Sequence, residues 1–499
     1  MNDWMELERA LSAIAASGHA ELREDGRWLP EFSPLRCKLR QSNGNAFLDV
    51  TSDAGSLTRR ILRIKEHSQQ RLVLEVHRFG KKSGRLEIIP RPKGRPPSRI
   101  VREQFCSRFE RLLRVCFPDA EIEPFTCAPD LERSFSPRYA RGKMSEGGCS
   151  WAVLAASRDE NSATIDAILA FGIVWFDYLR NSATKTKLAG LRIFVPLKCA
   201  QSVRERVAGL AMSIPTEIFE FDETASQIQK VDPADVGNLE SRLIPRRDNH
   251  DALALTAECA DRIRGLFTES PNEFSVRIAA GNEISFSFRG LEFARWAGGE
   301  MFCGSGRSRQ RMTPAKLPQL EKIVRDLQIY RQPSAARKNH ALYRSAPERW
   351  LETIVQENPT SLDAQLDERF IYSQTPAFDA GDRGVLDLLG VTRNGRLVIM
   401  ELKATEDIQM PLQALDYWFR VRRHQRDGSF QEYGYFVGKE LSPEPPLIFL
   451  VAPALHFHPA TDLLLKYLAP EICVTKIGLA ENWRRGLKIM FRQATGKRA

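Results

Sequence analysis

Cysteine is sparse and unpaired in this chain: nine are scattered over 499 residues, and no C-x-x-C spacing occurs. That absence argues against both a zinc ribbon and a disulfide framework, and leaves reduced, mostly buried thiols as the expectation. Long apolar runs are missing too. The best of them, Ile165 to Leu179, carries Asp166 and Asp177 and falls short of the roughly 18 to 20 apolar residues that a bilayer span needs. It reads as a buried helix. The first twenty residues hold Asp3, Glu6, Glu8 and Arg9 where a secretion signal would have a basic start and an unbroken apolar stretch. A cytoplasmic chain with no membrane partner is expected.

What the sequence does have is length and positive charge. Lys and Arg number 73 against 63 Asp and Glu, a formal charge of +10, which favours a polyanionic partner, either nucleic acid or an anionic surface. With 42% hydrophobic residues, disorder throughout is excluded, and about three or four domains with separate cores are expected. Residues 1–98 read as a small β-rich basic domain, from alternating stretches such as Arg71 to His77 and Arg85 to Ile89. Between Arg78 and Arg102, nine Lys or Arg face a single acid, Glu87, and four prolines fall between Pro90 and Pro97. Neither helix nor central strand tolerates that composition, so an exposed basic linker is expected there.

Residues 99–235 read as a helix followed by an α/β domain. The helix runs from Arg99 to Cys116; then come strand Ser150 to Ala156, helix Ala163 to Arg180, strand Leu191 to Pro196, helix Gln201 to Met212 and strand Glu217 to Phe221. Residues 236–335 read as a connector, with a β-hairpin of Phe274 to Ala279 and Glu283 to Phe288 joined through Gly281-Asn282, and a helix over 315–330. Residues 336–499 return to the earlier order: strand Arg396 to Ala404, helix Pro411 to Arg423, strand Leu447 to Ala452, helix Ala460 to Leu468, strand Ile472 to Ile477. Trp175 matches Trp418, and Leu191 to Pro196 matches Ile448 to Pro453. A divergent internal duplication follows. Aligning Leu154 with Glu401 and Ala156 with Lys403 leaves the first copy without acids, so it is expected to be an inactive layer, with Asp166 and Asp177 on a helix.

The chemistry concentrates in residues 382–404. Two apolar runs flank Arg393-Asn394-Gly395, which reads as an antiparallel hairpin of core strands. Each strand carries charge where a core residue belongs: Asp387 in the first, Glu401 and Lys403 in the second. Side chains two apart on a strand share a face, and pairing across the turn brings Asp387 level with Glu401. Two acids and an amine then converge. Buried charges persist as a satisfied salt bridge or as a functional site. Two carboxylates suit Mg²⁺ or Mn²⁺, and a neighbouring lysine can orient an attacking water and offset charge on a phosphate.

Asp387 followed by Glu401-Leu402-Lys403 at the end of the next strand resembles the active-site signature of PD-(D/E)XK nucleases. Leu351-Glu352 with Glu357-Asn358-Pro359 and Gly384 to Asp387 resemble the C-terminal domain of NucS/EndoMS endonucleases, and Gln413 with Tyr417 resembles the Q-x-x-x-Y of RecB-like nucleases. The likeness covers residues 345–425, has Leu386 in place of the family's proline, and does not extend to residues before 330. It implies a restriction-endonuclease-like mixed sheet flanked by helices, a divalent metal held by Asp387 and Glu401, and Lys403 beside the scissile phosphate. The fold expected for the whole chain is therefore multidomain α/β. It comprises a β-rich N-terminal domain, an α/β domain resembling an inactive nuclease, and a C-terminal nuclease-like domain.

Two glutamates compete for the helix position that completes such sites. Ser345-Ala346-Pro347-Glu348 reads as a capping box, which gives Glu348 a structural task, so Glu352 is preferred as the acid near the metal. Gln413 and Tyr417 share a helix face and reach either the metal surroundings, the nucleic-acid backbone or, for Tyr417, the core. His456 and His458, on one strand face, are expected to be ordinary polar contacts. Gly304-Ser305-Gly306 with Arg307, Arg309 and Arg311 lacks the G-x-x-x-x-G-K-[ST] pattern and reads as a solvated basic turn. Lys93, Arg95, Arg99 and Arg102 either contact phosphates or form a solvated face. The expected function is a metal-dependent nuclease acting on DNA, in repair or defence. The alternative is a noncatalytic nucleic-acid-binding or adaptor protein with the same fold. No motor motif is present, so any helicase or clamp protein would be a separate partner.

Overall fold

The computed structural model describes residues 20–90 with short gaps, 97–182, 188–233, 273–278, 283–304, 309–313, 316–373 and 386–495, with isolated positions elsewhere. The chain is mixed α/β and multidomain. It divides into two compact units, Met1–Arg204 with Pro215–Asp235, and Glu205–Ile214 with Val236–Ala499. Among the described residues no helix is long and apolar enough to cross a membrane.

In the first unit, β1 (Ala20–Glu24), β2 (Arg27–Trp28), β3 (Arg36–Ser42), β4 (Asn45–Ser52), β5 (Gly55–Ser68), β6 (Arg71–Arg78) and β7 (Lys81–Pro90) form one antiparallel sheet, ordered β2-β1-β7-β6-β5-β4-β3. Alternation along these strands buries Leu48, Val50, Leu72, Leu74, Leu86 and Ile88 on one core. Of the basic stretch, residues 91–96 lie outside the described residues.

Helix α1 (Arg99–Cys116) comes next, started by the Ser98 side chain, which accepts from the Val101 amide. It packs Phe105 and Phe109 over a six-stranded sheet. That sheet contains β8 (Glu121–Ile122), β9 (Tyr139–Glu146), β10 (Cys149–Ala156), β11 (Leu188–Pro196), β12 (Thr216–Asp222) and β13 (Gln227–Val231), in the order β13-β12-β11-β10-β9-β8. The parallel crossovers run through α2 (Ser162–Asp166), α3 (Ile168–Asn181) and α4 (Gln201–Val207). The expected helix from Ala163 to Arg180 is thus two helices jointed at Ala167. The expected helix to Met212 stops at Val207, because Leu210 forms a β-bridge with Leu468 and the Ala211 amide donates to the Tyr467 carbonyl. Asp166 and Asp177 do lie on helices, where Asp166 accepts from Ser202 and Asp177 from Asn181.

In the second unit, β14 (Phe274–Ile278), β15 (Ile284–Phe288), β16 (Leu291–Ala297), β17 (Glu300–Cys303) and β18 (Gln310–Arg311) form an antiparallel sheet in sequence order, packed by α5 (Leu317–Tyr330). The expected hairpin is present as β14 and β15, and its Gly281-Asn282 turn lies outside the described residues. Then follow α6 (Ala341–Arg344) and α7 (Pro347–Glu357). The last sheet comprises β19 (Tyr372–Ser373), β20 (Leu388–Val391), β21 (Leu397–Leu402), β22 (Leu447–Pro453), β23 (Val474–Leu479) and β24 (Ile489–Thr495), in sequence order. Between its strands lie α8 (Met410–Arg426), α9 (Ser429–Glu432) and α10 (Thr461–Lys466). Helix α7 buries Trp350, Leu351 and Val355 against Met400, Leu402, Phe449 and Val451.

The two six-stranded sheets have one topology. In each, the second and third strands form an antiparallel hairpin, the third, fourth and fifth run parallel through helical crossovers, and the outer strands are antiparallel. Strands β10 and β21 therefore hold the same place, as the proposed alignment requires.

Candidate active site on the β20–β21 hairpin

The hairpin turns at Gly395, whose φ is +83° and where an added Cβ would stand 2.2 Å from the Glu440 carbonyl oxygen. Only glycine satisfies both demands without strain. This tight turn fixes the register: Val391 pairs with Leu397 and Leu388 with Met400, so the next step sets Asp387 level with Glu401. Asp387 immediately precedes β20 instead of lying within it, and its Oδ2 accepts the Leu402 amide at 2.9 Å. On the face that Glu401 shares with the residue two further on, Lys403 Nζ donates to Glu401 Oε1 at 2.8 Å and lies 3.7 Å from Asp407 Oδ2.

This centre is largely withdrawn from water, and its electrostatics follow. Burial pushes the Asp387 carboxyl above its ordinary range, against the Leu402 amide and the Lys403 charge. Burial, then the charge of Asp387, pushes Glu401 up to about 8. Burial also works against the Lys403 ammonium, yet the carboxylates of Glu401, Asp407 and Asp387 outweigh it and hold the amine above its usual value. Tyr417, on α8, is kept protonated chiefly by burial, with the charges of Glu401 and Asp387 adding to the effect. Its ring is buried and within electrostatic reach of both acids. Gln413 lies one turn earlier on the same helix.

Two acceptor oxygens, Glu401 Oε2 and Gln413 Oε1, are buried without a hydrogen-bond donor. A buried acceptor without a donor is costly, and a divalent cation with its waters is a partner for such an atom. Hard oxygen donors are the ligands Mg²⁺ and Mn²⁺ prefer. Asp387 and Glu401 fit such an ion. Among the described residues no three His, Cys, Asp or Glu form a ready-made metal cage. A two-carboxylate site leaves the other coordination positions to water and substrate oxygens.

Of the two helix glutamates, Glu348 lacks the expected capping task. The capping box is absent: the residue before α7 is Ala346, in the left-handed region at φ +42°, with no side-chain cap, and the Ser345 hydroxyl donates to the Ala341 carbonyl. The buried Arg331 guanidinium donates to the Ser345 and Ala346 carbonyls and so sets this helix start. Glu348 is therefore free to reach the strand end, where its Oε1 accepts the Ala404 amide at 3.3 Å, and its charge acts on Asp387. Glu352 is fully buried and pairs with Arg277 at 2.9 Å and Arg349 at 3.0 Å. Burial raises it to about 7 despite the two arginines, and the Asp387 charge contributes. Both glutamates border the centre, and Glu352 carries its own counter-ions.

Sequence reasoning missed Asp407 and Arg277. Asp407 had a readable signal, since it sits just before α8, where it accepts the Gln409 amide. Arg277 had none, because it comes from a sheet 75 residues away in sequence from the glutamate it pairs with. The remaining candidates are mostly committed elsewhere. Arg309 pairs with Glu292 and Arg311 with Glu300. Arg102 is bonded to Glu160 and Arg99 to Glu103, while Lys93 and Arg95 lie outside the described residues, as do Gly384 and Arg307. His456 and His458 follow β22 in and beside a 3-10 turn instead of sharing a strand face; His456 meets Glu481, and His458 accepts the Ala460 amide. No protein-family model matches the chain, and no curated protein matches it.

Proposed function

We propose that this chain is a Mg²⁺- or Mn²⁺-dependent nuclease of the PD-(D/E)XK type that hydrolyses phosphodiester bonds in DNA, with the sheet β19–β24 and its helices as a restriction-endonuclease-like domain. One observation carries the reading. Glu401 is buried and Asp387 half-buried, the two stand level with each other at the end of a hairpin, and Lys403 answers only one oxygen of Glu401. A salt bridge that served the fold alone would leave two acids sharing one amine in a low-dielectric setting, an arrangement that costs stability unless another cation joins it.

In this reading Asp387 and Glu401 hold the ion, which when bound supplies Lewis acidity toward the phosphate and lowers the pKa of water. The Leu402 amide orients Asp387, and Glu401 orients Lys403. The ammonium, held charged by its neighbours, lies where it can position water and offset negative charge developing on a phosphate. Tyr417 stays protonated and so offers a hydrogen-bond donor beside the acids. The +10 net charge suits a nucleic-acid partner, and the DNA role proposed is one in repair or defence.

The test is a cleavage panel of single-stranded, duplex, branched and mismatched DNA with Mg²⁺, with Mn²⁺ and with chelator. Metal-dependent scission of at least one substrate is expected. An inert wild-type chain across the panel would leave the noncatalytic adaptor reading in its place.

A further inference from the structure

The likeness between the two six-stranded sheets extends from strand order to residue register. In the first sheet Leu154 pairs with Ile193, and Ile193 with Ile218. In the second, Glu401 pairs with Leu450, and Leu450 with Lys476. Three residues beyond Ile193 the strand closes on Pro196, paired with Phe221; three beyond Leu450 it closes on Pro453, paired with Leu479. A proline cannot donate to the ladder, so both central strands end at the same level for the same reason. The match therefore holds across three consecutive strands without a shift.

That register identifies what stands at each position of the candidate centre. Leu154 holds the place of Glu401, and Ala156 that of Lys403. Across the hairpin, Leu154 pairs with Arg141, so an arginine occupies the place of Asp387. The interval from Arg141 to Leu154 is one residue shorter than that from Asp387 to Glu401, because the two hairpin turns differ in length. Arg141 is buried, lies over the Phe135 ring at 4.7 Å and donates from Nη2 to the Ala128 carbonyl, while Nη1 has no hydrogen-bond partner. No carboxylate pairs with it among the described residues. A buried guanidinium at the ligand position repels a divalent cation.

We infer that the chain carries one working and one silenced copy of the same α/β layer, so that it has a single metal centre and cuts duplex DNA one strand at a time. This rests on the nuclease reading above. Each scission needs one metal centre, and the first copy replaces both acids and the lysine with Arg141, Leu154 and Ala156.

Mn²⁺ titration of the full-length chain, followed by calorimetry, tests the count, and Glu401→Gln and Asp387→Asn, each checked for native unfolding behaviour, locate the site. Wild type should bind one set of ions, and both variants should bind none. Binding that survives in both folded variants overturns the single centre. A wild-type chain that binds no Mn²⁺ overturns the nuclease reading itself, a result distinct from surviving binding. With supercoiled plasmid, the open circle should accumulate before any linear form. Linear DNA as the first product, or an uncut plasmid, overturns strand-by-strand scission.

Discussion

The Asp387 carboxylate accepts the backbone amide of Leu402 at 2.9 Å, across the hairpin that also brings Glu401 to its level. A backbone donor fixes an acid without neutralising it. The acid is thereby oriented while its second oxygen stays available for chemistry.

Lys403→Ala should lower Mg²⁺-dependent cleavage by about a hundredfold or more, the usual cost of losing a group that acts on the transition state. DNA affinity and the unfolding midpoint should stay near wild type, since Lys403 is a strand-end residue whose stem can be trimmed. Wild-type turnover by the folded variant would remove Lys403 from the site.

Glu348→Gln and Glu352→Gln should part ways. Glu352 neutralises Arg277 and Arg349 from a fully buried position, so its amide should cost roughly 1–3 kcal/mol of stability through unpaired guanidinium groups. Glu348 meets the site through the Ala404 amide and through its charge on Asp387, so its amide should lower cleavage with little loss of stability. Denaturant unfolding beside single-turnover rates checks both, and the reverse pattern would give the role near the metal to Glu352 and not to Glu348.

Gly395→Ala should destabilise the second unit by about 2 kcal/mol or more, from left-handed strain together with the approach of the Glu440 carbonyl. Because this turn sets the register of β20 on β21, cleavage should fall with it. An unchanged midpoint in thermal unfolding would show that the loop around Glu440 gives way freely.

Acid stability should depend on Asp367. Its carboxyl is held below the ordinary carboxylate range first by the Arg369 side chain, then by Lys439. A depressed folded pKa contributes stability that is complete above the unfolded value, about pH 3.9, and is lost as pH falls through the folded one. Wild type should therefore lose midpoint temperature below about pH 4, and Asp367→Asn should show a shallower loss over that window. Parallel acid slopes for the two proteins would contradict the assignment.

The sequence by itself determined the local periods and the charges that interrupt them. Alternation and helical spacing placed most strands and helices of both α/β layers within a few residues, because burial of one face demands those periods. Asp387, Glu401 and Lys403 were legible for the converse reason: charge inside a core strand has no local explanation. The Asn394-Gly395 turn then set their levels by simple counting.

Tertiary structure decided what distance along the chain conceals. Arg331 takes up carbonyls on both sides of Ala346, so the left-handed entry to α7 replaces the capping box that Ser345 and Glu348 suggest. Arg277 reaches Glu352 from another sheet. Arg141 opposite Leu154 became visible only from the hairpin register, which the length of the turn sets and no periodicity encodes. Local patterns follow from which side of an element faces water. The partners of buried charges follow from which elements meet, and that is settled by packing between residues far apart in the chain.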